Sequence, residues 1–197
     1  MEAPEPEKRQ VTAIMSTAMV GPGSQLQSLE FPLLEEHARL VRELLPRHGG
    51  REVKMMEDGF LLEFERGLSA VRFGVALQER VAGRNRLAAP DQRMELRVGV
   101  HLGPVVHQNG EVFGEGVNLA ARLEALAQPG TLYVSEAVAR EVEGHPLPPA
   151  HRLGRSELKR IRLPVAVFRI EPRRNVVRPA LFARFRSLFF TQRRASS

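Results

Sequence analysis

At 197 residues, with 43% hydrophobic and 26% charged side chains, the chain can bury one ordinary core and extend a short way beyond it. It has no cysteine, which excludes disulfides and thiolate metal sites, and its six histidines show no HxxxH or HExxH spacing that would suit zinc. The net charge of +6 is uneven: residues 172–197 hold seven arginines and no acid, which leaves the body near −1 and without a nucleic-acid signature. No apolar run approaches the length of a membrane span, and the Glu/Pro-rich start is not a signal peptide, so a cytoplasmic protein is expected.

In chain order, a disordered start over residues 1–9 precedes an apolar, β-compatible run from Val11 to Met19 and a forced turn at Gly21-Pro22-Gly23-Ser24. Leu33, Leu34, His37, Leu40, Val41, Leu44 and Leu45 repeat with helical spacing, and Gly49-Gly50 ends that helix. Strands at 52–57 and 60–64 flank Asp58-Gly59, which predicts a two-residue hairpin. A helix over 68–81, a polar loop to Arg93 and a strand over 96–102 follow. Gln108-Asn109-Gly110 predicts a turn into a second hairpin arm. A helix over 116–127, a strand over 131–134 and a helix capped by Ser135 and running to Val142 come next. Short strands near 152–158 and 165–170 complete the body. The order β-α-β-β-α-β predicts an α+β, ferredoxin-like split βαβ sandwich with a C-terminal α/β appendage, its helices on one face of a mainly antiparallel sheet. The domain is expected to span 10–171, with a linker at 172–179 and a basic helical tail at 180–197.

Gly110–Glu124, GEVFGEGVNLAARLE, is the most informative segment. It leads a Gly-rich approach into a helix that carries Asn118 and Arg122 at i and i+4, on one face. An amide beside a guanidinium suits a polyphosphate or charge developing on a reacting oxygen. A solvated polar stripe fits the same pair.

Together with HGGREVKMMEDGFLLEF at 48–64, LRVGVHLG at 96–103 and LKRIRLPVAVFRI at 158–170, this segment closely resembles the class III nucleotide cyclase catalytic domain (the adenylate/guanylate cyclase homology domain) in its bacterial form. The resemblance covers roughly residues 11–170. It implies head-to-tail dimers with composite sites, ATP or another purine nucleotide as ligand, and two Asp residues that hold two divalent ions, Mg²⁺ or Mn²⁺. Carried onto matching positions, it makes Lys54 the base-reading lysine and Glu111 the carboxylate that accepts from an adenine amino group. Asn118 would orient the ribose, Arg122 would stabilise phosphate charge and Lys159 would reach the β/γ-phosphates. Adenine fits Glu111 better than guanine does.

The metal side departs from the family pattern. Asp58 matches one carboxylate, with Glu57 before it where the family has Gly, but the partner position is Ala18. No Asp or Glu stands between Lys8 and Glu30, so a shift of register supplies none. The resemblance therefore implies a degenerate cyclase domain with weak or no activity alone. It would act as a nucleotide-binding or regulatory pseudoenzyme, or as the metal-lacking half of a heterodimer. Two alternatives stay open: an active homodimeric adenylate cyclase that converts ATP to cyclic AMP and pyrophosphate, and a non-catalytic interaction scaffold.

In the tail, Leu181, Phe182, Phe185, Leu188 and Phe189 repeat with helical spacing, and Arg184 and Arg186 lie off that stripe. Such a basic, aromatic-bearing helix suits an anionic membrane surface or an acidic partner, which would place the chain peripherally at a membrane through residues 180–194. Packing back on the domain and use in dimerisation are the alternatives.

Overall fold

The structure, a computed structural model, describes residues 8–20, 27–154 and 163–172. Strand β1 (Lys8–Val20) leads to helix α1 (Gln27–Leu44) and a 3₁₀ turn at Leu45–His48. Strands β2 (Gly50–Met55) and β3 (Gly59–Phe64) precede α2 (Gly67–Asn85), and β4 (Glu95–Gln108) and β5 (Glu111–Phe113) precede α3 (Glu115–Leu126). Strand β6 (Leu132–Ser135), α4 (Glu136–Val142), β7 (Ala150–Arg152) and β8 (Val167–Ile170) form the appendage.

One sheet runs β2-β3-β1-β4-β6-β8-β7, with β5 paired to β4. The first four strands in that order are the split βαβ arrangement expected from the sequence. β4 and β6 pair in parallel, and every other described ladder is antiparallel.

The helices do not all lie on one face, which corrects the sequence expectation. Ala13, Met15, Phe60, Leu62, Phe64, Val98, Val100 and Leu132 form the main core with α1, α2 and α4. The alternate residues Ile14, Leu61 and Val105, and Tyr133 further along, are also apolar, and they pack against α3. The central strands are therefore apolar on both faces, and α3 covers the second one. Gly99 permits this, because a Cβ there would overlap Glu124 N and Ala120 O on the α3 backbone.

Several boundaries also move. β1 begins at Lys8, so Lys8 and Arg9 belong to the sheet. β4 continues past Leu102 and through Pro104 to Gln108, paired with β1 along its length from Lys8↔His107 to Val20↔Glu95. Beyond Pro104 the β4–β5 hairpin, turned by Asn109 (φ 51°) and Gly110 (φ 79°), curls over the α3 face until β5 lies against β2. In the first hairpin Met56 N donates to Gly59 O (2.8 Å), so Glu57 and Asp58 form the turn rather than Asp58 and Gly59. Gly59 is needed for contact instead: its Cβ would overlap Thr17 O of β1. Ser135 precedes α4 as expected, but its buried hydroxyl makes no capping bond. Strand β7 (Ala150–Arg152) overlaps the strand expected near 152–158 only at Arg152, and residues 155–158 of that expectation lie outside the described residues. The tail helix, the linker from residue 173 onward, residues 1–7 and the 21–24 turn lie outside the described residues.

Candidate nucleotide site

A small apolar cluster assembles the face. Ile14 of β1, Leu61 of β3, Val105 of β4, Val112 of β5 and Ala120 of α3 pack together, with Val53 and Val117 against them. Three of the sequence-predicted residues adjoin members of this cluster in the chain: Lys54 follows Val53, Glu111 precedes Val112 and Asn118 follows Val117. The cluster thus gathers segments from β2, β5 and α3, and Lys54, Glu111 and Asn118 are themselves exposed. A register shift between Glu52 and Lys54 puts Val53 against the cluster, while Lys54 pairs with Leu61. Arg122 is exposed one turn beyond Asn118 on α3, whose other side buries Leu119, Ala120 and Leu123.

A polar network borders the cluster. Glu63 accepts from Arg51 Nε (3.1 Å) and Nη2, and from His107 Nε2 (2.6 Å). Arg51 Nη1 also reaches Gly110 O (3.4 Å), the carbonyl just before Glu111. Burial alone would raise the Glu63 carboxyl, but hydrogen bonds and charges from Arg51 and His107 outweigh it and hold the group below the ordinary carboxylate range.

On the other side, Ala18 is 2% exposed and sits in register between Gly59 of β3 and Arg97 of β4. Met19 N donates to Asp58 O (2.7 Å), which ties the first hairpin turn to this end of β1. The structure therefore brings Ala18 and Asp58 together. Glu57 and Asp58 are both exposed, and Glu57 holds its turn position without a positive φ, so its bulk does not strain the turn. Arg97 Nε donates to the buried Glu124 (2.8 Å). Burial pushes the Glu124 carboxyl up, Arg97 opposes that, and the nearby negative charge of Asp58 adds to the rise.

Among the described residues, the donors around Asp58 do not make up a set for two divalent cations. Ala18 offers a methyl group, Glu124 is engaged by Arg97, and no group of three or more His, Asp or Glu able to hold a metal occurs among the described residues. Lys159 lies outside the described residues. A cleft of about 430 Å³ beside α1, lined by Leu34, Glu35, Ala38, Arg39, Arg42 and Met55, contains none of the predicted residues.

Arg51, Glu63, Arg97, His107 and Glu124 were not singled out from sequence. A buried Glu inside the apolar stripe of α3 was the available signal for Glu124. Glu63 stood between Leu62 and Phe64, an acid within a run in which every residue is buried.

The family model of the adenylate and guanylate cyclase catalytic domain matches residues 24–161. A Rhizobium meliloti (strain 1021) protein named "Putative adenylate cyclase 3" is 33% identical over 181 residues, which cover 90% of this chain and 31% of that one. A Streptomyces coelicolor adenylate cyclase is 34% identical over 111 residues, 56% of this chain and 27% of that one. This chain thus spans about a third or less of these relatives. The crystal structure of an adenylate/guanylate cyclase/hydrolase from Silicibacter pomeroyi superposes with a TM-score of 0.74 at 30% identity, covering 85% of this chain and all of that one. The adenylyl cyclase CyaB from P. aeruginosa shares the fold, with a TM-score of 0.63 over 84% of this chain and 95% of that one, at 18% identity. Fold and motifs define a class III nucleotide cyclase domain. The chain belongs to the adenylate and guanylate cyclase catalytic domain family.

Proposed function

We propose that this domain binds a purine nucleotide, with ATP preferred, through the face that carries Lys54, Glu111, Asn118 and Arg122, and that its own metal side is incomplete. Alone it has little or no cyclase activity. It serves as a regulatory nucleotide-binding domain or as one half of a head-to-tail heterodimer whose other chain supplies both carboxylates, in cyclic-nucleotide signalling inside the cell. The observation that carries this is Ala18, buried opposite Gly59 and Arg97 with no donor oxygen where a partner for Asp58 would stand. Lys54 and Glu111 would read the base, Asn118 would orient the ribose, and Arg122 and Lys159 would take phosphate charge. The Arg fork suits phosphate oxygens through paired charge-assisted hydrogen bonds.

The test is purified protein with ATP and Mn²⁺, scored for cyclic AMP and pyrophosphate beside Ala18→Asp. Product from Ala18→Asp only supports the proposal. Wild-type turnover that is lost in Asp58→Ala overturns it and establishes the second reading, an active homodimeric adenylate cyclase that uses Mg²⁺ or Mn²⁺. The similarity to bacterial adenylate cyclases favours that second reading. Among the described residues no helix is long and apolar enough to cross a membrane. We place the chain in the cytoplasm, with the tail at 180–194 as its peripheral contact to an anionic surface.

A further inference from the structure

Lys54 and Glu111 stand on β2 and β5, which are not hydrogen-bonded neighbours in the sheet. β5 pairs with β4, and β2 pairs with β3. No ladder joins β2 to β5 directly, so their separation is set only indirectly, through the β3, β1 and β4 ladders between them. The apolar cluster beneath them is non-directional and leaves that separation loosely specified. A directional connection is supplied by three side chains. Glu63 of β3, with its side chain 11% exposed, receives the guanidinium of Arg51 from β2 and Nε2–H of His107 from the far end of β4. Arg51 then reaches across to Gly110 O in the β4–β5 turn.

We propose that Glu63 is a positioning residue: through Arg51 and His107 it locks the β4–β5 hairpin onto β2 and β3, and so fixes the gap between Lys54 and Glu111 that selects the purine base. This rests on the nucleotide-binding function proposed above. The physical basis is that a carboxylate accepting a guanidinium through two nitrogens, and an imidazole at its other oxygen, restricts orientation as well as distance. His107 lies in the arm beyond Pro104, whose backbone already pairs with β1 as far as Lys8↔His107, and the same carboxylate that anchors β2 adds a side-chain tie to that arm. Glu63→Gln keeps the shape and removes the charge. Glu63→Leu leaves Arg51 and His107 without their acceptor, and His107→Gln perturbs the network from its β4 end.

The experiment uses the full chain and two readouts. Amide hydrogen exchange is followed over residues 106–113, with α2 and β6 as internal references. ATP and GTP are each titrated against a fluorescent ATP analogue, with and without Mn²⁺. Glu63→Leu is expected to speed exchange in 106–113 by about tenfold, with the references unchanged, because only a local opening is eased. The ATP-over-GTP preference should fall toward parity, with Glu63→Gln and His107→Gln intermediate. If Glu63→Leu does not fold, those two variants carry the test. Wild-type protection of the hairpin in the variants overturns the proposal, and so does a loosened hairpin with an unchanged ATP:GTP ratio. A wild type with no preference between the two nucleotides overturns it too. A wild type that binds neither nucleotide overturns the proposed function itself, whereas binding that ignores Glu63 overturns only the positioning role.

Discussion

His37 makes the stability of the domain depend on pH in a calculable way. It lies on α1, fully buried, edge-on to Phe60 at 5.2 Å, and neither ring nitrogen has a hydrogen-bond partner. Burial lowers its pKa from 6.5 to about 4, because the imidazolium would have to leave water without a compensating acceptor. The unfolded chain therefore binds a proton that the native chain refuses between those two values. Stability from this source is essentially complete above about pH 7, is lost progressively as pH falls from about 6.5 to about 4, and is gone below that. The full difference of about 2.5 pH units corresponds to about 3 kcal/mol, of which about 1 kcal/mol is already lost at pH 5.5 and most by pH 4.5. Carboxylates such as Glu52 and Glu63, held below their ordinary range, also weaken the fold on acidification, so wild-type data alone do not isolate the histidine. Urea unfolding of wild type and His37→Leu at a series of pH values does isolate it. The variant should gain on the wild type by those amounts as pH falls, with little change above pH 7. A stability difference that stays flat from pH 7.5 to pH 4.5 refutes the reasoning.

Gly99→Ala should destabilise the domain by about 2 kcal/mol or more, because its methyl group meets the α3 backbone rather than a flexible side-chain end. For a domain of this size that is a fall in Tm of about 4–8 °C, read by calorimetry, and an unchanged Tm would show that α3 does not ride on β4. The tail should hold the chain on vesicles containing phosphatidylserine at low salt and release it at about 0.5 M NaCl, with deletion of 180–197 abolishing capture. Salt-insensitive capture would count against an electrostatic contact.

The alternation of apolar residues and the two hairpin signals made the β-α-β-β-α-β order legible, because period 2 and period 3.6 separate cleanly in this chain. The face occupied by α3 was not legible. It depends on the second apolar set, Ile14, Leu61 and Val105, and on what Gly99 permits, and neither has a period of its own. The Asp58-Gly59 turn misled by one residue because a glycine beside an aspartate suits both a turn and a close strand approach. Only the contact of Gly59 with Thr17 separates the two. For the site, the family resemblance proposed Lys54, Glu111, Asn118 and Arg122. Of the groups that meet at Glu63, Arg51 stands opposite it in the β2–β3 hairpin, 12 residues away, whereas His107 is 44 residues away and reaches it only once the arm is in place.

Ala18→Asp has a consequence that can be followed without catalysis. The Arg97–Glu124 pair is close to neutral, so Asp58 supplies one net negative charge beside Ala18, and a second aspartate would make it two. In chelator the new side chain is buried near Asp58 and Glu124, with an Arg97 whose Nε is already engaged, so the variant should be less stable than wild type. Those same two aspartates are oxygen donors for a hard dication, and a cation that binds only the native state stabilises it by mass action. At a hundredfold excess over Kd the recovery is about 2.7 kcal/mol. Thermal unfolding with ATP, with and without Mn²⁺, should show that recovery in Ala18→Asp and little of it in wild type. Equal stabilisation of both would mean that the wild-type chain already holds the ion, and the incomplete metal side would have to be abandoned. If neither responds, Asp58 is not placed to share a cation with position 18.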